Sequence, residues 1–190
     1  GKGIVQTIRT LKDGSAIKLT LSAYYTPAGT NIHEAVRIAN SPSRNKGEFH
    51  RLYVRSGFYL INKEIEIAGS RFEMVSSKGA DAQDEIDPEG TVLCGGYPNS
   101  TNRIVRIYGD SFYSERQVVF RGFTVTNGWT EGNGGGIYFE YGRWEPNVIS
   151  DCRIVGNFAY KGSGGGIYSS PDTPRLCITN CVVSGNTVSN

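Results

Sequence analysis

The string Gly-Gly-Gly-Ile-Tyr occurs twice, at Gly134 to Tyr138 and at Gly164 to Tyr168. Each copy is followed by a short β-like run ending in Gly-Asn, first Ile149 to Asn157 and then Ile178 to Asn186. A weaker copy, Val119 to Asn127, places its asparagine 30 positions before Asn157. Self-similarity at a period of about 20–50 residues marks a chain that stacks equivalent units instead of closing one globule.

Composition agrees with strands. Valine and isoleucine together number 30 against 7 leucines, with 13 threonines and 25 glycines. Branched side chains fit a pleated, half-buried surface, and glycines serve tight corners. The formal net charge of +2 argues against nucleic acid as a partner. No run reaches the roughly 18 apolar residues of a membrane span. Cys94, Cys152, Cys177 and Cys181 lack Cys-x-x-Cys spacing and are too few for a disulfide-built scaffold.

Residues 1–29 hold two strand-like runs, Ile4 to Ile8 and Ile17 to Leu21, around the Asp13-Gly14 turn signal. They are set apart as strands of unknown affiliation that could belong to a cap. A helix is predicted over Asn31 to Ala39, with Asn31 as its cap and Glu34 completing a capping box. Strands follow at Leu52 to Val54, Tyr59 to Ile67, Phe72 to Val75, Thr91 to Cys94 and Ile104 to Tyr108. The fold class is all-β, a right-handed parallel β-helix solenoid over residues 30–190 with a short N-terminal capping helix. The chain is read as a piece of something longer, whose continuation or a partner covers the C-terminal coil.

Stacked parallel strands lie about 4.8 Å apart, so equivalent residues of neighbouring coils sit over one another. Asn127, Asn157 and Asn186 are expected to form a structural ladder at one turn. The same alignment puts Arg121, Asp151 and Asn180 in one column and Gly122, Cys152 and Cys181 in the next. Two readings of Cys152 and Cys181 stand: buried free thiols, which are preferred, or a bridge.

Gly122 to Gly128, the two Gly-Gly-Gly-Ile-Tyr strings and the Cys-x-x-x-Gly-Asn endings resemble the right-handed parallel β-helix, pectin-lyase-like superfamily. More narrowly they look like secreted bacterial β-helix proteins and polymorphic outer-membrane protein repeats. The resemblance implies a secreted or cell-surface location in a bacterium, and a fold that hosts lyases, hydrolases and adhesins alike.

No catalytic residue is assigned. Arg143, Arg153, Lys161 and Arg175 match no lyase motif, and Glu131, Glu140, Glu145, Asp151 and Asp172 form no recognisable carboxylate pair. His33 and His50 have no nucleophile pattern beside them. The acidic stretch Asp81 to Glu89 could offer oxygens to Ca2+ but lacks the spacing of a dedicated loop, so no cofactor is expected. Tyr138 and Tyr168, with Trp129, Tyr141, Trp144 and Tyr160 nearby, are the carbohydrate-binding candidates. The expected function is a non-catalytic, adhesin-like module contacting glycans or a surface protein. The alternative is a polysaccharide-degrading enzyme, a lyase before a glycoside hydrolase.

Overall fold

The computed structural model describes residues 2–10, 16–25, 32–40, 49–68, 72–78, 85–108, 117–140, 146–171 and 175–189. Strands β1 (Lys2–Thr10) and β2 (Ala16–Tyr25) form an antiparallel hairpin. Helix α1 (Ile32–Ala39) follows. Ile32, Ala35 and Val36 are buried along one face, the i, i+3, i+4 spacing that a helix needs to cover a core. Asn31, its expected cap, lies outside the described residues. At the other end Asn40 donates through Nδ2 to the Glu66 carbonyl at 2.8 Å and accepts from the Ala68 amide at 3.2 Å. The helix end is thereby pinned to the strand beneath it.

From β3 (Phe49–Arg55) onward nearly all pairing is parallel. The segment expected as one strand from Tyr59 to Ile67 is two, β4 (Gly57–Ile61) and β5 (Ile65–Ala68). Ile61 and Ile65 both point inward while Asn62 and Lys63 are exposed, so the chain must turn a corner between them. Next come β6 (Phe72–Ser77), β7 (Thr91–Gly95), β8 (Val105–Tyr108), β9 (Val118–Arg121), β10 (Thr124–Thr126), β11 (Trp129–Thr130) and β12 (Ile137–Phe139). The remainder are β13 (Asn147–Ser150), β14 (Arg153–Val155), β15 (Phe158–Tyr160), β16 (Ile167–Ser169), β17 (Leu176–Thr179), β18 (Val182–Ser184) and β19 (Thr187–Ser189).

These strands make four open sheets, in the orders β17-β13-β9-β6-β3-β1-β2, β18-β14-β10-β7-β4, β16-β12-β8-β5 and β11-β15-β19. The molecule is mostly β, with one short helix, parallel sheets and no closed barrel among the described residues. Val148 pairs with Cys177 and with Val119, steps of 29 residues in each direction, whereas Ile137 pairs with Ile167, a step of 30.

The core is a set of columns running through these registers. Leu52, Met74, Phe120 and Ile149 stack in the seven-stranded sheet. Tyr59, Leu93, Val125 and Ile154 stack in the five-stranded sheet, and Ile65, Val105 and Ile137 in the four-stranded one. All of these are buried. Each apolar side chain contributes about 1.5–3 kcal/mol by leaving water, so no single three-residue strand is stable without its neighbours.

The glycine runs belong to this stacking. A Cβ on Gly135 would lie 2.4 Å from the Phe158 carbonyl oxygen and 2.5 Å from that of Gly165, and one on Gly136 would lie 2.5 Å from the Gly166 oxygen. Gly135 N–H donates to Gly164 O and Ile137 N–H to Gly166 O. Here backbone packs on backbone and leaves no room for a side chain.

Phe120 is fully buried with its ring 4.6 Å from that of Phe123, whereas Phe58 is 66% exposed. We expect Phe120→Ala to lower the free energy of unfolding by about 3–5 kcal/mol. Phe58→Ala should stay within about 0.5 kcal/mol of the parent chain. Urea unfolding of both variants checks the contrast.

Candidate functional site

One corner of the stack gathers the asparagines and cysteines. Register places Gly122, Asp151 and Asn180 in one column, all with positive φ (79°, 54° and 51°). Asn127, Gly156 and Gly185 form a second such column (55°, 64° and 63°). Each repeat thus uses two left-handed residues at this corner, and glycine, asparagine or aspartate fills them because these tolerate that region.

This shifts the columns expected from sequence by one residue at the first repeat. Asn127 shares its level with Gly156, and it is Gly128 that stands in line with Asn157 and Asn186. Asn157 accepts at Oδ1 from the Gly128 amide (2.9 Å). Its Nδ2 donates to the Val125 carbonyl (3.0 Å) and to Asn186 Oδ1 (2.9 Å). Asn186 in turn donates to the Ile154 carbonyl at 2.7 Å. Asn127 bonds elsewhere, to the carbonyls of Gly95 and Tyr97. An alignment anchored on identical letters missed the shift because asparagine serves two turn positions for different reasons, one conformational and one through its amide.

The same correction moves Phe123, not Gly122, into line with Cys152 and Cys181, and Arg121 into line with Ser150. Arg121 still reaches Asp151 across the step (2.8 Å), and Asn180 donates to its other oxygen (2.5 Å). Burial pushes the Asp151 carboxyl up, but the hydrogen bonds from Asn180 and Arg121 outweigh it and hold the pKa below its ordinary value. Cys152 is buried and Cys181 half-buried, and both are free thiols.

Aromatic residues form two groups on the outer faces. The rings of Tyr138 and Tyr168 lie 5.5 Å apart at 47°. Trp129 stacks on Tyr97 (5.8 Å, 10°), Phe158 (6.2 Å) and Tyr160 (6.2 Å). Tyr97 and Phe158 escaped the sequence reading; Phe158 was legible as the alternate position to Tyr160 on one face. Tyr141 and Trp144 lie outside the described residues, as do Arg143, Glu145, Asp172, Asp81 and Asp84.

Tyr138 borders a charged network that sequence spacing did not reveal. Arg106 donates to Glu140 and lies 3.7 Å from Glu64, and Arg103 sits over the Tyr138 ring at 4.7 Å. Burial first, and then the Glu140 charge, pushes the Tyr138 hydroxyl up. His33 donates from Nε2 to the Lys63 carbonyl at 2.6 Å. Of the acidic stretch, Asp87 receives Ser56 Oγ and the Gly90 amide. No group of three His, Cys, Asp or Glu suited to a metal ion occurs among the described residues. No described helix is long and apolar enough to cross a membrane.

Comparison with known proteins points elsewhere in the chain. Peptidase family S41 matches residues 1–40. A protein named Probable CtpA-like serine protease, from the bacterium Staphylococcus haemolyticus (strain JCSC1435), is 61% identical over 33 residues. That stretch is 17% of this chain, and it spans 7% of the length of that relative. No solved structure matches.

These matches overturn the pectin-lyase-like assignment. With it go the adhesin-like, glycan-contacting role, the polysaccharide lyase or hydrolase alternative and the leaning away from an enzyme. The physical reason is that Gly-Gly-Gly-Ile-Tyr and the Gly-Asn endings are demanded by backbone stacking and left-handed turns, so they report geometry and not kinship. The family signal lies in residues 1–40, whose first 29 positions carried no recognised counterpart.

Two outcomes are expected here. Asn157→Ala should cost about 1–3 kcal/mol by leaving the Gly128 amide and the Val125 carbonyl unpaired in the interior. Unfolding in urea measures it. Asp151 has a lowered folded pKa, so its contribution is present above the unfolded-state pKa and is lost as pH falls through the folded one. Stability of the parent chain should therefore drop more steeply below about pH 4 than that of Asp151→Asn, followed by thermal melts across pH.

Proposed function

We propose that this chain carries part of a serine peptidase of the S41 kind in residues 1–40, joined to a right-handed parallel β-helix solenoid that begins at β3. The observation that carries the peptidase reading is the 61% identity over 33 residues to a CtpA-like serine protease. The family-model match over residues 1–40 takes in the β1–β2 hairpin and α1.

The solenoid reading is supported by the strand orders. Along β4, β7, β10, β14 and β18 the chain leaves a sheet, visits the others and returns beside the strand it left. A strand, a crossover and a parallel strand in one sheet are right-handed in about 98% of cases, which supplies the hand. Residues 1–29 and 30–190 are then two parts with one shared sheet, since β3 pairs with β1 on one side and with β6 on the other.

In this reading the reaction is hydrolysis of a peptide bond through an acyl-enzyme on serine, with a neighbouring base taking the hydroxyl proton. The solenoid holds the peptidase segment rigidly. The test uses the native polypeptide that contains this sequence, an unstructured peptide substrate and a fluorophosphonate that labels activated serines. Cleavage that the fluorophosphonate blocks, and that deletion of residues 1–40 abolishes, is expected. No cleavage, or cleavage indifferent to that deletion, overturns the proposal.

A further inference from the structure

The far end of the stack is an uncovered copy of its own interior. Ile149, Ile154 and Ala159 are fully buried, each with a residue of the next repeat beneath it. The residues beneath are Ile178, Val183 and Val188, and these are 45%, 50% and 43% exposed. They continue inward columns, so their exposure belongs to an open layer and not to an outer face. Among the described residues β16, β17, β18 and β19 each have a strand on one side only. Apolar surface bordered by unpaired strand edges is a template for pairing with another segment.

The polar groups of this layer specify the segment. Asn157 reaches into the repeat above it, accepting at Oδ1 from the Gly128 amide and donating from Nδ2 to the Val125 carbonyl. Asn186 does the same one repeat later, with the Asn157 amide at 3.0 Å and the Ile154 carbonyl at 2.7 Å. Both times an amide and a carbonyl three residues apart form a socket for one carboxamide. The next such pair is the Asn186 amide and the Val183 carbonyl, and neither has a partner among the described residues. Gly134, Gly135 and Ile137 likewise donate to the carbonyls of Ser163, Gly164 and Gly166 in the layer below. By register the amides of Gly164, Gly165 and Ile167 face the open side.

We propose that this end is the seat of one further parallel β coil of the same repeat, whose asparagine fills the socket between the Asn186 amide and the Val183 carbonyl. The occupant carries apolar side chains beneath Ile178, Val183 and Val188 and presents carbonyls to the Gly164, Gly165 and Ile167 amides. Its interface continues, in register and in chemistry, those already present between repeats.

A second whole copy of the chain does not fit. Two copies meeting end to end oppose amide to amide at Asn186, whose own carboxamide is spent on Asn157 and Ile154. Stacked head to tail, they are blocked in the seven-stranded sheet, because β1 holds the other edge of β3. The inference rests on the stacking registers and is independent of the peptidase reading, since its test measures folding and not cleavage.

The experiment compares the 190-residue chain with the same chain carrying an appended second copy of residues 161–190. That length keeps the step of 30 seen between Ile137 and Ile167. Two further chains carry Asn186→Ala or Thr187→Ala in the appended copy only, and a last one carries the appended residues in scrambled order. Light scattering, urea unfolding, binding of the apolar dye ANS and amide hydrogen exchange follow them all. A seated copy should raise the urea midpoint by about 0.5–1 M and increase the m-value. It should lower dye fluorescence severalfold and slow exchange at Asn186, Gly164, Gly165 and Ile167 by about tenfold or more. Asn186→Ala in the copy should restore exchange at the Asn186 amide by on the order of tenfold, and Thr187→Ala should leave it slow. The scrambled copy should match the parent chain. An unchanged midpoint with unprotected amides, an equal gain from the scrambled copy, protection at Asn186 indifferent to Asn186→Ala, or a parent chain that is a dimer with these amides already slow would each overturn the proposal.

Discussion

Parallel backbone pairing between segments 29 or 30 residues apart is the interaction on which everything else in this molecule rests. Strands of three or four residues, such as β10 and β14, cannot satisfy their own amides or bury their one or two inward side chains. Stacking meets both needs at once, because the neighbour that accepts the hydrogen bonds also covers the apolar column. The requirement is strict about register. A slip of one residue would turn Val125 and Ile154 outward and bring Thr124 and Arg153 into the core.

The turns enforce that register. Two left-handed positions at this corner of each repeat set the direction of the chain, and the side chain after the second, Asn157 or Asn186, locks the level above to the level below. Gly128 in the same place shows that the amide can be absent where the backbone N–H of that residue is itself taken by Asn157. Conformation and hydrogen bonding are thus separable duties at one corner, and substitutions there act through whichever duty the position holds.

Much of this architecture was legible in the residues. Repeats near 30, β-branched bias and a helix with Ile32, Ala35 and Val36 on one face led to a mostly β structure with parallel sheets. The register at Asn127 was not legible, because one amino acid fills two turn roles and only the pairing of Trp129 with Phe158 separates them. The Arg103, Arg106, Glu64 and Glu140 network was hidden for another reason. Glu64 and Glu140 come from the repeats on either side of Arg103 and Arg106 and meet them only by stacking, so no local spacing announces the pairs. Kinship was misread because repeat geometry dominates the letters after residue 118, while the peptidase match occupies a stretch with no repeat at all.

Strand β3 is where these two parts become one object. Tyr53 pairs with Ile4 in antiparallel register and with Val75 in parallel register. Every residue from His50 to Val54 therefore answers to two neighbours with different hydrogen-bond geometry. Leu52 and Val54 are buried against the core, and Arg51 pairs with Glu73 on the adjoining strand. A central strand held on both edges cannot shift without breaking both ladders, which joins the hairpin of residues 2–25 to the first parallel strands as a continuous sheet. Helix α1 adds a second tie, since it packs on β1, β3 and β5 together. The matched peptidase segment is thus built into the stack through the hairpin and the helix alike, and its geometry depends on the parallel strands that follow.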